Sequence, residues 1–180
     1  YDYPLSTPQK LIELSKAAFQ PGNTADGAKA DEFCKKIIDF YVNERPEQLK
    51  EFSDMNAYLQ YEVNAAILCS YAYEKLGDTE SALKTLQPFL ANVEASRSRI
   101  HERYIKLCVK KYGIVKVRSE LNTCGNTIQF KKQASPDKDD WVVSVFGADI
   151  GVGNASVYPN ITKEQADTLI RQMYFSKLLQ

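Results

Sequence analysis

The sequence predicts an α+β fold: an antiparallel helical portion comes first, and a small antiparallel sheet of three or four strands with a C-terminal amphipathic helix follows. Two observations support this prediction. Apolar residues recur at helical spacing as far as Tyr112, and from Ile114 the pattern changes to the alternation of strands. We therefore divide the chain into a helical portion, residues 1–112, and an α+β portion, residues 113–180, which together can pack as one domain.

The composition is that of an ordinary globular protein without overall charge. The 180 residues include 23 Lys and Arg and 23 Asp and Glu, so the formal net charge is zero. A neutral chain has no long-range field that attracts nucleic acid or anionic lipid. Its apolar runs are also shorter than the roughly 20 residues that a membrane-spanning helix needs. We expect neither a nucleic-acid partner nor a transmembrane segment.

In the helical portion, helices are predicted in three places besides the central hairpin. Thr7 followed by Pro8 is typical of a helix start, because Thr caps the first turn and the missing Pro N–H would be unpaired there. Apolar residues from 33 to 41 at helical spacing predict the next helix. A third is predicted from about Ala95 to Tyr112, ending at Gly113.

A helical hairpin is predicted in the middle of the chain. The helix from 56 to 76 should end at Gly77 as a left-handed C-cap, and Asp78 or Thr79 should cap the next helix. Because the connection has only two or three residues, the two helices must pack antiparallel.

This hairpin, over about residues 63–96, resembles one tetratricopeptide repeat. The residues in the places of that family's Y-x-x-L-G-D-x-x-x-A-L stretch are Tyr73, Leu76, Gly77, Asp78 and Ala82. The chain departs from the family at Ala66 and Ser70, where tryptophan and glycine are usual. The flanking windows do not repeat the pattern, and solenoids normally need three or more repeats. The resemblance implies a hairpin used as architecture or, alternatively, a concave binding groove.

The second portion is predicted to form the sheet. We expect a strand over 114–121 that returns through a hairpin turn at Gly125-Asn126. Residues 141–147 are richest in β-branched and aromatic side chains and should form the central strand. The glycine-broken segment 150–158 predicts a bent or edge strand, and a capping box at Thr162 predicts the start of the last helix.

Four cysteines, Cys34, Cys69, Cys108 and Cys124, allow three disulfide connectivities. We favour Cys34–Cys69 between two helices and Cys108–Cys124 between a helix end and a hairpin. Two such bridges fit a periplasmic or secreted protein. The alternative is that Cys34, Cys69 and Cys108 pack as free thiols on apolar helix faces. No two have the spacing of zinc ligands.

The common catalytic and cofactor motifs are missing from the sequence. The one histidine, His101, is expected on a helix surface, and its spacing from Cys108 is too long for a nucleophile–base hydrogen bond. The loop acids Asp137, Asp139 and Asp140 lack the glycine and glutamate of a calcium loop. We predict no catalytic residue, no metal ligand and no cofactor.

Aromatic residues suggest where a partner binds. The chain has 11 Tyr and 8 Phe, and tyrosine is enriched at protein interfaces. We predict partner-binding residues Tyr61, Tyr71 and Tyr73 in the helical groove, and Ile150 and Tyr158 at the strand edge. The alternative is that a second layer of helices buries both faces of the tyrosine-rich helix.

The sequence therefore predicts a non-enzymatic protein–protein interaction module: an adaptor, an assembly factor, or an inhibitor or immunity-type partner. Its compartment is predicted to be periplasmic or secreted, with the cytoplasm as the alternative. The start at Tyr1 fits a mature form after signal-peptide removal or a trimmed chain. The rival functions are an enzyme or effector with an Asp/Glu or Cys active site in the cleft between the halves, and a structural subunit of an assembly.

Overall fold

The computed structural model describes residues 7, 9–19, 27–45, 55–91, 99–124, 129–132, 139–154 and 162–179. The chain groups into two compact units, Tyr1–Leu86 and Gln87–Gln180. Helices dominate the described residues and a small antiparallel sheet lies in the second unit, so the predicted α+β class is confirmed. The predicted division at residues 112 and 113 lies inside the second unit.

The first unit is helical. Its elements are α1 (Gln9–Phe19), α2 (Gly27–Asp39), the π-helical continuation of α2 that we call π1 (Phe40–Glu44), α3 (Met55–Lys75) and the start of α4 (Thr79–Leu90). Residues at helical spacing on α1, α2 and α3 share one apolar core. Its members are Leu11, Ala18, Cys34, Ile37, Phe40, Ala65, Leu68 and Ala72.

Helix α3 is buried on all sides over residues 61–70. A helix without an exposed polar face belongs in the interior of a protein. The buried run nevertheless contains Glu62, Asn64 and Ser70. The hydroxyl of Ser70 donates a hydrogen bond to the carbonyl of Ile67 at 2.6 Å. Both faces of this stretch of the tyrosine-rich helix are therefore covered.

The turn between α3 and α4 agrees with its prediction. Gly77 has a φ of +84°, its N–H bonds the carbonyl of Glu74 at 2.9 Å, and the N–H of Asp78 bonds the carbonyl of Tyr73 at 2.9 Å. These two bonds form a Schellman motif, which requires the left-handed residue. The Asp78 carboxylate then accepts from the Ser81 N–H at 3.0 Å and caps α4. The antiparallel helices are compatible with a helical-hairpin repeat.

The second unit combines helices with the sheet. Its elements are α5 (Ile100–Tyr112), α6 (Ile114–Thr123), β1 (Gln129–Lys132), β2 (Asp139–Val145), β3 (Ala148–Asn154), α7 (Lys163–Leu169), the π-helical segment π2 (Ile170–Phe175) and α8 (Ser176–Leu178). The capping box predicted at Thr162 is present, with both of its hydrogen bonds to Gln165.

Among the described residues the sheet has the order β1-β2-β3, and all pairs are antiparallel. The expectation that β2 is central is confirmed. The pairing of β2 with β3 shifts register between Trp141, which faces Gly153, and Val142, which faces Gly151. Val152 is thus an extra residue, and the two glycines flank this bulge in the glycine-broken segment.

The predicted strand over 114–121 is wrong: Ile114–Thr123 is helix α6. Val117, Leu121 and Cys124 are buried at spacings of four and three residues, which is a helical stripe. The predicted turn at 125 and 126 lies outside the described residues. The strand that follows, β1, pairs with β2 and not with residues 114–121.

Candidate interaction surfaces

The five predicted partner-binding residues differ in their exposure. Tyr61 is 4 % exposed and Ile150 is fully buried, so these two side chains belong to the cores of their units and their prediction as surface contacts is wrong. Tyr73 is half-buried, and Tyr71 is 37 % exposed. Tyr158 lies outside the described residues. Tyr71 is therefore the predicted contact that a partner can reach most readily.

Tyr71 lies where the end of α1 meets α3. Its ring centroid is 6.3 Å from that of Phe19, and the two rings are tilted by 59°. The Lys75 ammonium lies 5.7 Å from the centroid of Phe19 and donates a hydrogen bond to the Ala18 carbonyl at 3.1 Å. The last turn of α1 is thereby fastened to α3. The Tyr71 surface is thus aromatic, with a cation beside it.

A second surface of the first unit was not predicted from the sequence. The outer side of α2 and π1 carries an open depression of about 360 Å³. Its lining residues are Lys35, Ile38, Asp39, Val42 and Asn43, and we call them the α2 surface. Val42 is 54 % exposed. The lining positions follow one another at intervals of three, one, three and one residues, so they form a single stripe along the helix.

The α2 surface combines two aliphatic side chains with three polar ones. Ile38 and Val42 are four residues apart and therefore adjacent on the helix. The Asn43 side-chain amide donates to the Asp39 carboxylate at 2.7 Å, and Lys35 supplies a positive charge. Protein interfaces likewise combine apolar with polar contacts.

The four cysteines are all free and buried, so the predicted pairings Cys34–Cys69 and Cys108–Cys124 are not formed. Cys34 lies in the core shared by α1, α2 and α3, whereas the Cys69 thiol hydrogen-bonds Thr85 on α4. The Cys124 thiol donates to the Leu121 carbonyl at 3.0 Å. The free, buried state of Cys34, Cys69 and Cys108 is the one that the alternative interpretation expected.

Burial also makes these thiols poor nucleophiles. Desolvation raises the pKa of Cys69 and of Cys108 to about 12 and the pKa of Cys124 to about 11. It raises the pKa of Cys34 as well. The thiolate is the reactive form of cysteine, and at neutral pH it is scarce at such sites.

The expectation of a surface histidine is wrong. His101 is 2 % exposed, and its Nε2 lies 2.8 Å from the carbonyl oxygen of Leu90. A carbonyl only accepts, so Nε2 carries the proton and the neutral ring accepts at Nδ1 from the Tyr174 hydroxyl. Desolvation lowers the pKa of His101 to about 4. The ring is a neutral structural group at pH 7.

Across the described part of the chain, no group of three or more His, Cys, Asp or Glu side chains could hold a metal ion. The buried carboxylate of Glu62 is paired with the guanidinium of Arg45. Among the described helices, none combines the length and the apolar character needed to cross a membrane.

Comparison with protein-family models gives no match to this chain. Comparisons with the curated proteins and with the solved structures give no match either.

Proposed function

We propose that this chain is a protein–protein interaction module whose first unit recognises its partner through the α2 surface. The observation that carries the proposal is the open depression that Ile38 and Val42 line together with Lys35, Asp39 and Asn43. Val42 is the most exposed large apolar side chain described in the first unit. Covering apolar surface of this kind is the main favourable contribution to most protein association.

The lining residues suggest the chemistry of the partner. One aliphatic or aromatic side chain would pack against Ile38 and Val42, and a carboxylate would pair with Lys35. The stripe follows a helix, so an amphipathic helix of the partner is the element that would contact it over the greatest length. Tyr71 remains a predicted second contact in the same unit.

The helical hairpin serves as architecture in this proposal. Ala72 and Ala82 are fully buried, and Gly77 makes the left-handed turn. Small residues allow helices to approach closely. These features support a hairpin of the tetratricopeptide type that positions the helices around it.

The alternative proposal, an enzyme or effector with an Asp/Glu or Cys active site, has less support from the described residues. The cysteine pKa values lie at about 11 to 12 where they are largest, and the His101 ring nitrogens are both engaged. Nucleophilic catalysis needs a thiolate or an activated base. The role as adaptor, assembly factor or inhibitor and the periplasmic or secreted compartment stay predictions.

Partner capture with matched variants tests the α2 surface. The purified chain, Val42→Asp and Val115→Asp are immobilised, and proteins of the source cell that bind in stoichiometric amounts are identified by mass spectrometry. Val115 is an exposed valine of the second unit, so it controls for the general effect of the substitution. Substitutions at exposed positions change the free energy of unfolding by about 0.5 kcal/mol or less. Circular dichroism checks that all three chains fold.

We expect one partner to be held by the wild type and by Val115→Asp and to be lost with Val42→Asp. Tyr71→Ala in the same experiment tests the predicted second contact. If the same partner binds all variants equally, the α2 surface is not its binding site. If no protein binds any of them in stoichiometric amounts, the interaction-module proposal is wrong and the enzyme alternative is favoured.

A further inference from the structure

The junction between α5 and α6 exposes two aliphatic side chains. Ile114 is 39 % exposed and Val115 is 79 % exposed, which makes Val115 the most exposed large apolar side chain among the described residues. Both belong to the first turn of α6, directly after Gly113. Gly113 has a φ of +88°, so the chain ends one helix and begins the next across this single residue. Covering two neighbouring aliphatic groups removes apolar surface from water, which is favourable.

Positive charges surround this aliphatic pair. Between residues 109 and 121 the chain carries four cations and one carboxylate, although its overall net charge is zero. All four cationic residues are exposed. We call the cations together with the aliphatic pair the basic junction: Lys110, Lys111, Ile114, Val115, Lys116 and Arg118.

The basic junction has a fixed support. The ammonium groups of Lys111 and Lys116 each lie 5.2 Å from the centroid of the Tyr112 ring. That ring stacks on Phe146, with centroids 4.2 Å apart and planes 13° from parallel. The Glu120 carboxylate accepts a hydrogen bond from the Phe146 N–H at 3.0 Å. The one carboxylate between residues 109 and 121 is therefore directed to the turn between β2 and β3.

We propose that the basic junction binds the surface of an anionic lipid bilayer. Ile114 and Val115 would enter the boundary between headgroups and acyl chains, and the four cations would contact lipid phosphates and carboxylates. Peripheral membrane proteins combine buried apolar area with electrostatic attraction in this way. A local basic cluster suffices, because the attraction decays within a Debye length.

Other macromolecules fit the basic junction less well. Protein hot spots are enriched in Trp, Tyr and Arg that fill pockets, whereas three of the four cations here are lysines, which protein interfaces contain less often than the rest of the surface. Single-stranded nucleic acid binds by stacking its bases on exposed aromatic rings. The aromatic ring here, Tyr112, is stacked on Phe146 and lies beneath two ammonium groups, so it serves as a support for the cations.

Vesicle co-sedimentation tests the charges. Wild type is mixed with vesicles of phosphatidylcholine alone or with about one third phosphatidylserine, at low salt and at about 0.15 M salt. We expect binding only to the anionic vesicles, and weaker binding at the higher salt. Each cation near an anionic surface increases the partitioning of a protein onto the vesicles about fivefold. Lys111→Gln with Lys116→Gln removes two cations and should therefore lower this partitioning about 25-fold.

Matched controls separate the basic junction from total charge. Lys84→Gln with Lys163→Gln removes two exposed cations elsewhere and should leave vesicle binding close to that of the wild type. Arg118→Gln leaves the contacts of the Tyr112 ring in place and should lower partitioning about fivefold. Val115→Ser should also weaken binding, whereas Val42→Ser, on the α2 surface, should not.

Three results would overturn the proposal. The first is equal binding of wild type to the two kinds of vesicle, or binding to neither. The second is a loss of binding in the Lys84 and Lys163 control as large as in the Lys111 and Lys116 variant. The third concerns immobilised polyglutamate. If it retains the wild type but not Lys111→Gln with Lys116→Gln, and neither protein binds vesicles, the basic junction is assigned to an acidic protein.

Discussion

Arg45 and Glu62 form a largely buried ion pair that joins the end of π1 to the middle of α3. Arg45 makes two further contacts with one residue: its Nε donates to the Tyr41 carbonyl at 3.0 Å, and its guanidinium lies 4.1 Å from the centroid of the Tyr41 ring. Val42 lies between Tyr41 and Arg45 in the chain. The ion pair therefore fixes the end of the segment that forms the α2 surface.

Removing either partner of this ion pair should be strongly destabilising. Arg45→Met or Glu62→Gln leaves the other group buried without its partner, which costs about 3–5 kcal/mol of unfolding free energy. Replacing both with apolar residues, Arg45→Met and Glu62→Leu, should cost less than the sum of the single changes. Urea unfolding of the four proteins in a double-mutant cycle measures this coupling. Additive losses would show that the pair contributes no coupling energy.

The pattern of the sequence predicts the hairpin and the sheet centre well but not helix α6. Gly77 and Thr162 were predictable because a turn and a cap depend on a few adjacent residues. The segment from Ile114 to Leu121 was misread because its β-branched residues favour strands. The burial of Val117 and Leu121, four residues apart, belongs to a helix, and packing in the second unit outweighs the weaker local preference.

Two valines on α6 test this correction. Val115 and Val117 are two residues apart, so in a strand they would share one face, whereas in the helix Val117 is fully buried and Val115 is exposed. We expect Val117→Ala to lower the unfolding free energy by about 2 kcal/mol through lost burial and a cavity. Val115→Ala should change it by about 0.5 kcal/mol or less. Equal losses in urea unfolding would contradict a helix here.

The burial of His101 and the exposure of Val42 were not predicted from the sequence. His101 lies seven residues before Cys108 and therefore on the same face of α5, and Cys108 is buried. That spacing was available in the sequence, but a lone polar residue is ordinarily assigned to the surface. Val42 was missed because it lies outside the apolar stripe of α2, and a single apolar residue on an outer face is common.

All four cysteines should be counted as free thiols by a disulfide reagent in the unfolded chain. In the native protein all four are buried, and their raised pKa values reduce the thiolate that reacts with a disulfide reagent. We expect slow, incomplete reaction with Ellman's reagent in buffer. In denaturant without a reducing agent, four thiols per chain should react rapidly. A count of two or zero there would show that disulfides form, and Cys34→Ser and Cys108→Ser would identify which pair is involved.

Acid should destabilise the second unit through His101. Its pKa is about 4 in the folded protein, against an ordinary value of 6.5, because burial disfavours the charged ring. As the pH falls below 6.5 the unfolded chain takes up a proton that the folded chain does not, so stability is lost progressively down to about pH 4. The difference in pKa corresponds to a loss of about 3 kcal/mol, and below pH 4 this group adds no further loss.

The comparison of wild type with His101→Gln isolates this effect from the carboxylates, which are present in both proteins. His101→Gln should be less stable at pH 7, but its unfolding free energy should depend less on pH between 6.5 and 4. Tyr174→Phe removes the donor to Nδ1 and should cost about 1–3 kcal/mol at pH 7, because a buried ring nitrogen loses its partner. If urea unfolding of wild type and His101→Gln gave the same pH dependence, His101 would not be a buried neutral group.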